Sequence, residues 1–205
     1  MHKILRIHAS PRGAESESYR LSQGIVEHLL RRHPGASLVE RPLSAGTISH
    51  VDTHYANALG GMADGEPAAA SMLESERLIQ ELEQTHSLVI STPMHNYTVP
   101  SALKAWIDHV LRVHRSFRPT PQGKVGTLDD RPTYVAVSSG GNFSSEPARQ
   151  PDFLTPYLTA VLNTMGIRDI HYFTVEGTAR GPQARELARN AALECVAERF
   201  LEVSA

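Results

Sequence analysis

One cysteine, Cys195, stands among 205 residues, so no intrachain disulfide can form and a reducing compartment, the cytoplasm, is expected. Its place in an apolar helical stripe predicts a buried packing thiol rather than a nucleophile. No apolar run approaches the length of a membrane span, and Lys3 and Arg6 interrupt the basic-then-apolar pattern of a secretory leader. Excess charge is also missing. A net charge of −2 gives no reason to expect nucleic acid or a membrane surface as partner. What remains is ordinary: 40% hydrophobic and 20% charged residues, over a length that suits one α/β domain spanning residues 1–205. Eleven histidines make the charge sensitive to pH near neutrality.

Apolar runs predict strands at Lys3–His8, Ser37–Arg41, Ser87–Ser91, Thr133–Ser138 and Ile170–Val175. Their centres are continuous rather than alternating, as strands covered on both faces require. Between them lie helical patterns: a Leu21–Leu30 stripe, Leu73–Leu82, Ser101–Val113 capped by Ser101, Thr155–Met165 ended by Gly166, and a last helix from Pro182. This alternation predicts βαβ units in a flavodoxin-like three-layer α/β sandwich, with a parallel sheet of five strands ordered 2-1-3-4-5. Two stretches break the pattern: Ser44–Ala70, which is long and weakly periodic, and Arg115–Asp130, which reads as a loop or short hairpin.

In such a sheet, ligands bind beyond the carboxyl ends of the strands, where strand order reverses. Three loops there are unusual. After the first strand, Ser10, Pro11 and Gly13 lead into Ser16-Glu17-Ser18 at a helix start, where backbone N–H groups and the helix dipole favour a phosphate. The loop matches neither GxGxxG nor GxxxxGK[ST], so its hydroxyls would cradle the phosphate without lysine or magnesium, as flavin mononucleotide (FMN) is commonly held. Plain helix capping explains the serines equally well. After the third strand, Pro93 and Pro100 stiffen a loop carrying Met94, His95, Asn96 and Tyr97, which offers an apolar wall and polar groups to a planar ring. After the fourth come Ser138, Ser139, Gly140 and Gly141, whose glycines permit close approach of a ligand, or simply form a tight turn. His50 and His54 share i, i+4 spacing but lack a third ligand, so no metal site is expected.

Together these segments resemble the short, flavodoxin-like FMN-dependent NADH azoreductases, also described as NADH:quinone oxidoreductases. The resemblance rests on the three loops, on Pro100 to Asp108, Phe117-Arg118, Leu154 to Leu158, Gly166-Ile167, Glu176-Gly177 and Gly181-Pro182, in order along nearly the whole chain. It implies a homodimer with one FMN per subunit at the edge of the interface. It also implies ping-pong, two-electron hydride transfer from NADH to quinones, giving hydroquinones, or to aromatic azo compounds, giving amines. Carried over by position, Ser10, Ser16, Glu17 and Ser18 match the phosphate loop. Met94, His95, Asn96, Tyr97, Ser138, Ser139, Gly140 and Gly141 match the segments around the ring. The cofactor carries the chemistry, so no catalytic side chain is implied, and N–H groups near Gly140 and Gly141 would stabilise charge on the reduced ring. Departures are His95, where an aromatic is frequent, and Ser139, where arginine is frequent; both bear on potential and substrate preference. Phe117 and Phe153 would line an acceptor pocket or pack as ordinary core. A non-enzymatic flavodoxin-type electron carrier is the alternative, but carriers are usually strongly acidic.

Overall fold

A computed structural model describes residues 1–43, 46–61, 66–145 and 148–202. In chain order these form β1 (Lys3–His8), α1 (Glu17–Arg32), β2 (Ser37–Pro42), α2 (Thr53–Leu59), α3 (Glu66–Glu83), β3 (Ser87–Pro93) and α4 (Ser101–Val110). There follow β4 (Phe117–Thr120), β5 (Gly123–Gly126), β6 (Thr133–Ser138), α5 (Thr155–Met165), β7 (Ile170–Val175) and α6 (Pro182–Glu202). Five strands pair in parallel in the order β2-β1-β3-β6-β7. The expected 2-1-3-4-5 counts parallel strands alone, and the antiparallel β4–β5 hairpin, paired only with itself, shifts the numbering.

The sheet is covered on both sides because each central strand is apolar on both faces. Leu5, Ile7, Leu88, Ile90, Val135 and Val137 pack against α3, α4 and α5 through Leu78, Trp106, Leu158 and their neighbours. Ile4, Val89, Tyr134 and Ala136 pack against α1 and α6 through Leu21, Ile25, Val196 and Phe200.

Several local expectations need correction. Cys195 is exposed: the buried line of α6 is Ala192, Val196 and Phe200, at strict four-residue spacing, and the thiol sits one position off it. Ser101 is the first residue of α4 rather than its cap; Pro100 precedes it without a side-chain cap, and the helix closes at Val110. The stretch 44–70 holds α2, capped by Asp52 through a 2.8 Å bond from the Tyr55 amide, while Ser44, Ala45 and 62–65 lie outside the described residues. His54 lies on α2 and His50 precedes it, so the two do not share a helical face. Gly166 does end α5, at φ +109.

The turn between α4 and the hairpin is tied to α3 by charge. Arg112 and Arg115 both donate to Glu76, and Arg115 also reaches Glu83 at 2.6 Å. The two guanidiniums hold the Glu76 carboxyl down to about 2, against an ordinary value near 4.5. Because the folded value is the lower one, this network stabilises the fold above the ordinary carboxylate range and loses its contribution as pH falls from about 4.5 toward 2. Glu76→Gln should therefore flatten the acid limb of a stability–pH profile measured by urea denaturation; an unchanged limb would show that the pair contributes nothing.

Candidate functional site

The three loops meet at the carboxyl edge of the sheet. Around a cleft of about 210 Å³ they bring together Ser10, Ser16, Glu17, Met94, His95, Ser138 and Gly140. A larger cavity, about 590 Å³, opens at the opposite edge beside His2, His33, His86 and Arg131. Parallel sheets place ligands at the carboxyl edge, where β1 and β3 lead their chains to opposite faces, so the smaller cleft is the candidate site.

At its β1 end, Ser16 caps α1. Its hydroxyl oxygen accepts the Tyr19 amide at 3.2 Å and donates to the Gly13 carbonyl at 2.9 Å, with the Ser18 hydroxyl 3.4 Å away. The Ser10 hydroxyl accepts the Arg12 amide at 3.2 Å. Among the described residues, the amides of Glu17 and Ser18 donate to nothing. The Glu17 side chain is buried and turned away into ion pairs with Arg20, at 3.3 Å, and Arg189, at 3.0 Å, so it offers the site only its backbone. Burial also lowers the pKa of His8 at the end of β1, so this imidazole adds little positive charge at neutral pH.

The loop after β3 is a two-residue hairpin. His95 and Thr98 exchange backbone bonds at 2.9 and 3.0 Å, leaving Asn96 and Tyr97 at the tip with φ of 47 and 72. Asparagine tolerates that conformation, but tyrosine rarely does, and such strain collects at functional sites. Tyr97 is 48% exposed, and its carbonyl accepts the Phe153 amide at 3.0 Å. Phe153 is itself 60% exposed, whereas Phe117 is packed in the hairpin under Lys124.

After β6, Ser139 is buried, and the carbonyls of Gly140 and Gly141 accept the amides of Ala179 and Gly177. Their own amides carry no hydrogen bond among the described residues. Neither glycine needs a left-handed conformation; a Cβ on Gly141 would lie 2.3 Å from the Gln150 Oε1. Gln150 was not foreseen. Its amide nitrogen donates to the Ser139 hydroxyl at 2.8 Å and approaches the Met94 sulfur at 3.2 Å, touching two of the nominated ring residues and abutting a third. Asp152 anchors that segment by accepting the Leu154 and Thr155 amides, both at 2.9 Å. Thr178 and Arg185, from the turn before α6 and from α6 itself, also line the cleft. Glu176-Gly177 and Gly181-Pro182 lie near them in the sequence, but no motif singles out the two side chains themselves.

A family model for the flavodoxin-like fold matches residues 2–200. The chain belongs to the flavodoxin-like fold family. Within this flavodoxin-like group, the chain is 49% identical over 185 residues to an FMN-dependent NADH:quinone oxidoreductase of Pseudomonas fluorescens, covering 90% of this chain and 88% of the relative. A second oxidoreductase of the same name, from Cupriavidus pinatubonensis, is 46% identical, covering 88% and 89%. A solved FMN-dependent NADH azoreductase of Bacillus anthracis, in complex with FMN, superposes with a TM-score of 0.83 at 23% identity, covering 98% of this chain and all 100% of that one; at this identity it speaks to the fold alone. Among the described residues, no helix of this flavodoxin-like chain is long and apolar enough to cross a membrane.

Proposed function

We propose that this protein is an FMN-dependent oxidoreductase that takes electrons from NADH and reduces quinones and aromatic azo compounds. One observation carries the reading: three loops, nominated separately, line one cleft whose donors suit a phosphorylated planar ligand. Unspent amides and serine hydroxyls stand at one end of the site, and a thioether and two unpaired glycine amides at the other. The names of the relatives that share almost half their residues with this chain support the same reading.

FMN, when bound, would supply the two-electron redox chemistry between NADH and the acceptor. The chain binds, orients and polarises. Ser10, Ser16 and Ser18, with the free amides of Glu17 and Ser18, hold the phosphate at the positive end of α1. Met94 would give the ring an apolar wall, and the strained Asn96–Tyr97 tip next to it in the same loop would hold its polar edge. The amides of Gly140 and Gly141, which have no acceptor among the described residues, would stabilise negative charge gathering on the reduced ring; removing one such donor elsewhere costs roughly 3 kcal/mol of stabilisation. Exposed Tyr97 and Phe153 lie beside each other, joined by a backbone bond, which favours a homodimer completing the acceptor pocket from a second copy. The single cysteine fits a cytoplasmic setting.

Purified protein reconstituted with FMN should be yellow after desalting. Anaerobic NADH should bleach it, and a quinone added next should restore the colour. Protein that emerges colourless, or stays yellow with NADH, defeats the reading.

A further inference from the structure

Helix α6 presents two arginines one turn apart, Arg185 and Arg189, to the start of α1. Their circumstances differ. Arg189 donates to the buried Glu17 carboxylate at 3.0 Å, so its charge is matched. Arg185 lines the cleft beside Ser10 and Ser16, and among the described residues its guanidinium makes a single long contact, 3.5 Å to the Thr178 carbonyl oxygen. A guanidinium carries five N–H donors, and a partly buried one without an anion is unfavourable. Among the residues lining the cleft, only Glu17 bears a carboxylate, and it is turned away to Arg20 and Arg189. Beside Arg185 lie the two free amides, the positive end of α1 and the exposed Arg12, so N–H donors and positive charge gather at this end of the cleft.

We propose that Arg185 is the cation that completes the phosphate end of the cleft and selects phosphorylated over unphosphorylated flavin. The inference rests on the FMN reading above. It adds a charged side chain from α6 to the hydroxyls, backbone amides and helix dipole expected of the cradle from the sequence. A planar guanidinium fork matches two phosphate oxygens at once, which a lysine in its place would do less well.

Apoprotein stripped of flavin, titrated calorimetrically with FMN and with riboflavin at low and high salt, tests this. Arg185→Gln should weaken FMN by about tenfold or more and change riboflavin by no more than about twofold, with Arg185→Lys between. FMN binding should also lose part of its salt dependence in Arg185→Gln. If riboflavin binds too weakly to titrate in either protein, that salt dependence decides. The melting temperatures of the two apoproteins should coincide, which separates a binding effect from a weakened fold. Unchanged FMN affinity in Arg185→Gln, equal weakening of both flavins, or unaltered salt dependence would overturn the assignment. Wild-type protein that binds neither flavin would instead overturn the FMN reading itself.

Discussion

With aspartate in place of Ser16, the protein should still fold and should emerge from purification almost free of flavin. Aspartate caps a helix as well as serine does, so its carboxylate would accept the Tyr19 amide that the Ser16 hydroxyl accepts now at 3.2 Å. A negative charge at a helix start is favourable in itself. The bond from the Ser16 hydroxyl to the Gly13 carbonyl is lost, a change of about 1 kcal/mol that a domain of this size survives. For a phosphate the outcome is opposite. Ser16 is 4% exposed and lines the cleft, so a fixed carboxylate there meets the phosphate at contact distance with little water between. Like charges so placed cost several kcal/mol, which is about 10²- to 10³-fold in affinity.

Ser16→Ala supplies the contrast. It removes the cap and should lower stability by about 1 kcal/mol, yet the free amides of Glu17 and Ser18 remain to hold phosphate. The two variants therefore separate capping from ligand binding, the two explanations the serines allow. Flavin content per chain and direct FMN titration are the measurements. Full FMN content in Ser16→Asp would mean that the serines of this loop only cap a helix.

Much of this architecture was legible in the residue order, for a physical reason. Strands buried on both faces must be continuously apolar, and Leu88-Val89-Ile90 and Tyr134-Val135-Ala136-Val137 are so. The site was legible in outline because loops following parallel strands converge whatever their sequence. Short-range rules failed where tertiary contact decided. Periodicity places Cys195 in an apolar stripe, but Ala192, Val196 and Phe200, at four-residue spacing, already fill the contact with the sheet. Helix α2 is about two turns long, too short for periodicity to show. Gln150 reaches the site through Ser139 and Met94, and Thr178 and Arg185 line the cleft from the end of the chain; no local pattern tells which side chains there turn toward the three loops, so only the folded chain reveals them. The left-handed Tyr97 is hidden in the same way, since no glycine announces the turn.

Trp106→Ala should be among the most destabilising single substitutions in the molecule. Trp106 is 1% exposed, on the face of α4 that packs against the sheet with Leu103, Ile107 and Val110. Truncation removes an indole from a close-packed interior and leaves a cavity, at a cost of about 3–5 kcal/mol. For a chain of 205 residues that is on the order of 10 °C in melting temperature. Trp106→Phe should lose less than half as much, because most of the volume stays. The effect on the ligand should be smaller than the effect on the fold. The loop that α4 continues is held by its own bonds, Met94 to Ser138 at 2.8 Å and His95 to Thr98, at the strand side of Pro100. FMN at a hundred times its Kd should then raise the melting point of Trp106→Ala by nearly the increment seen in wild type, about 2.7 kcal/mol of stabilisation. A much smaller increment would show that the cavity reaches the loop and that α4 packing positions the ring wall; a total loss below about 1 kcal/mol would show that Trp106 is not the core residue its burial describes.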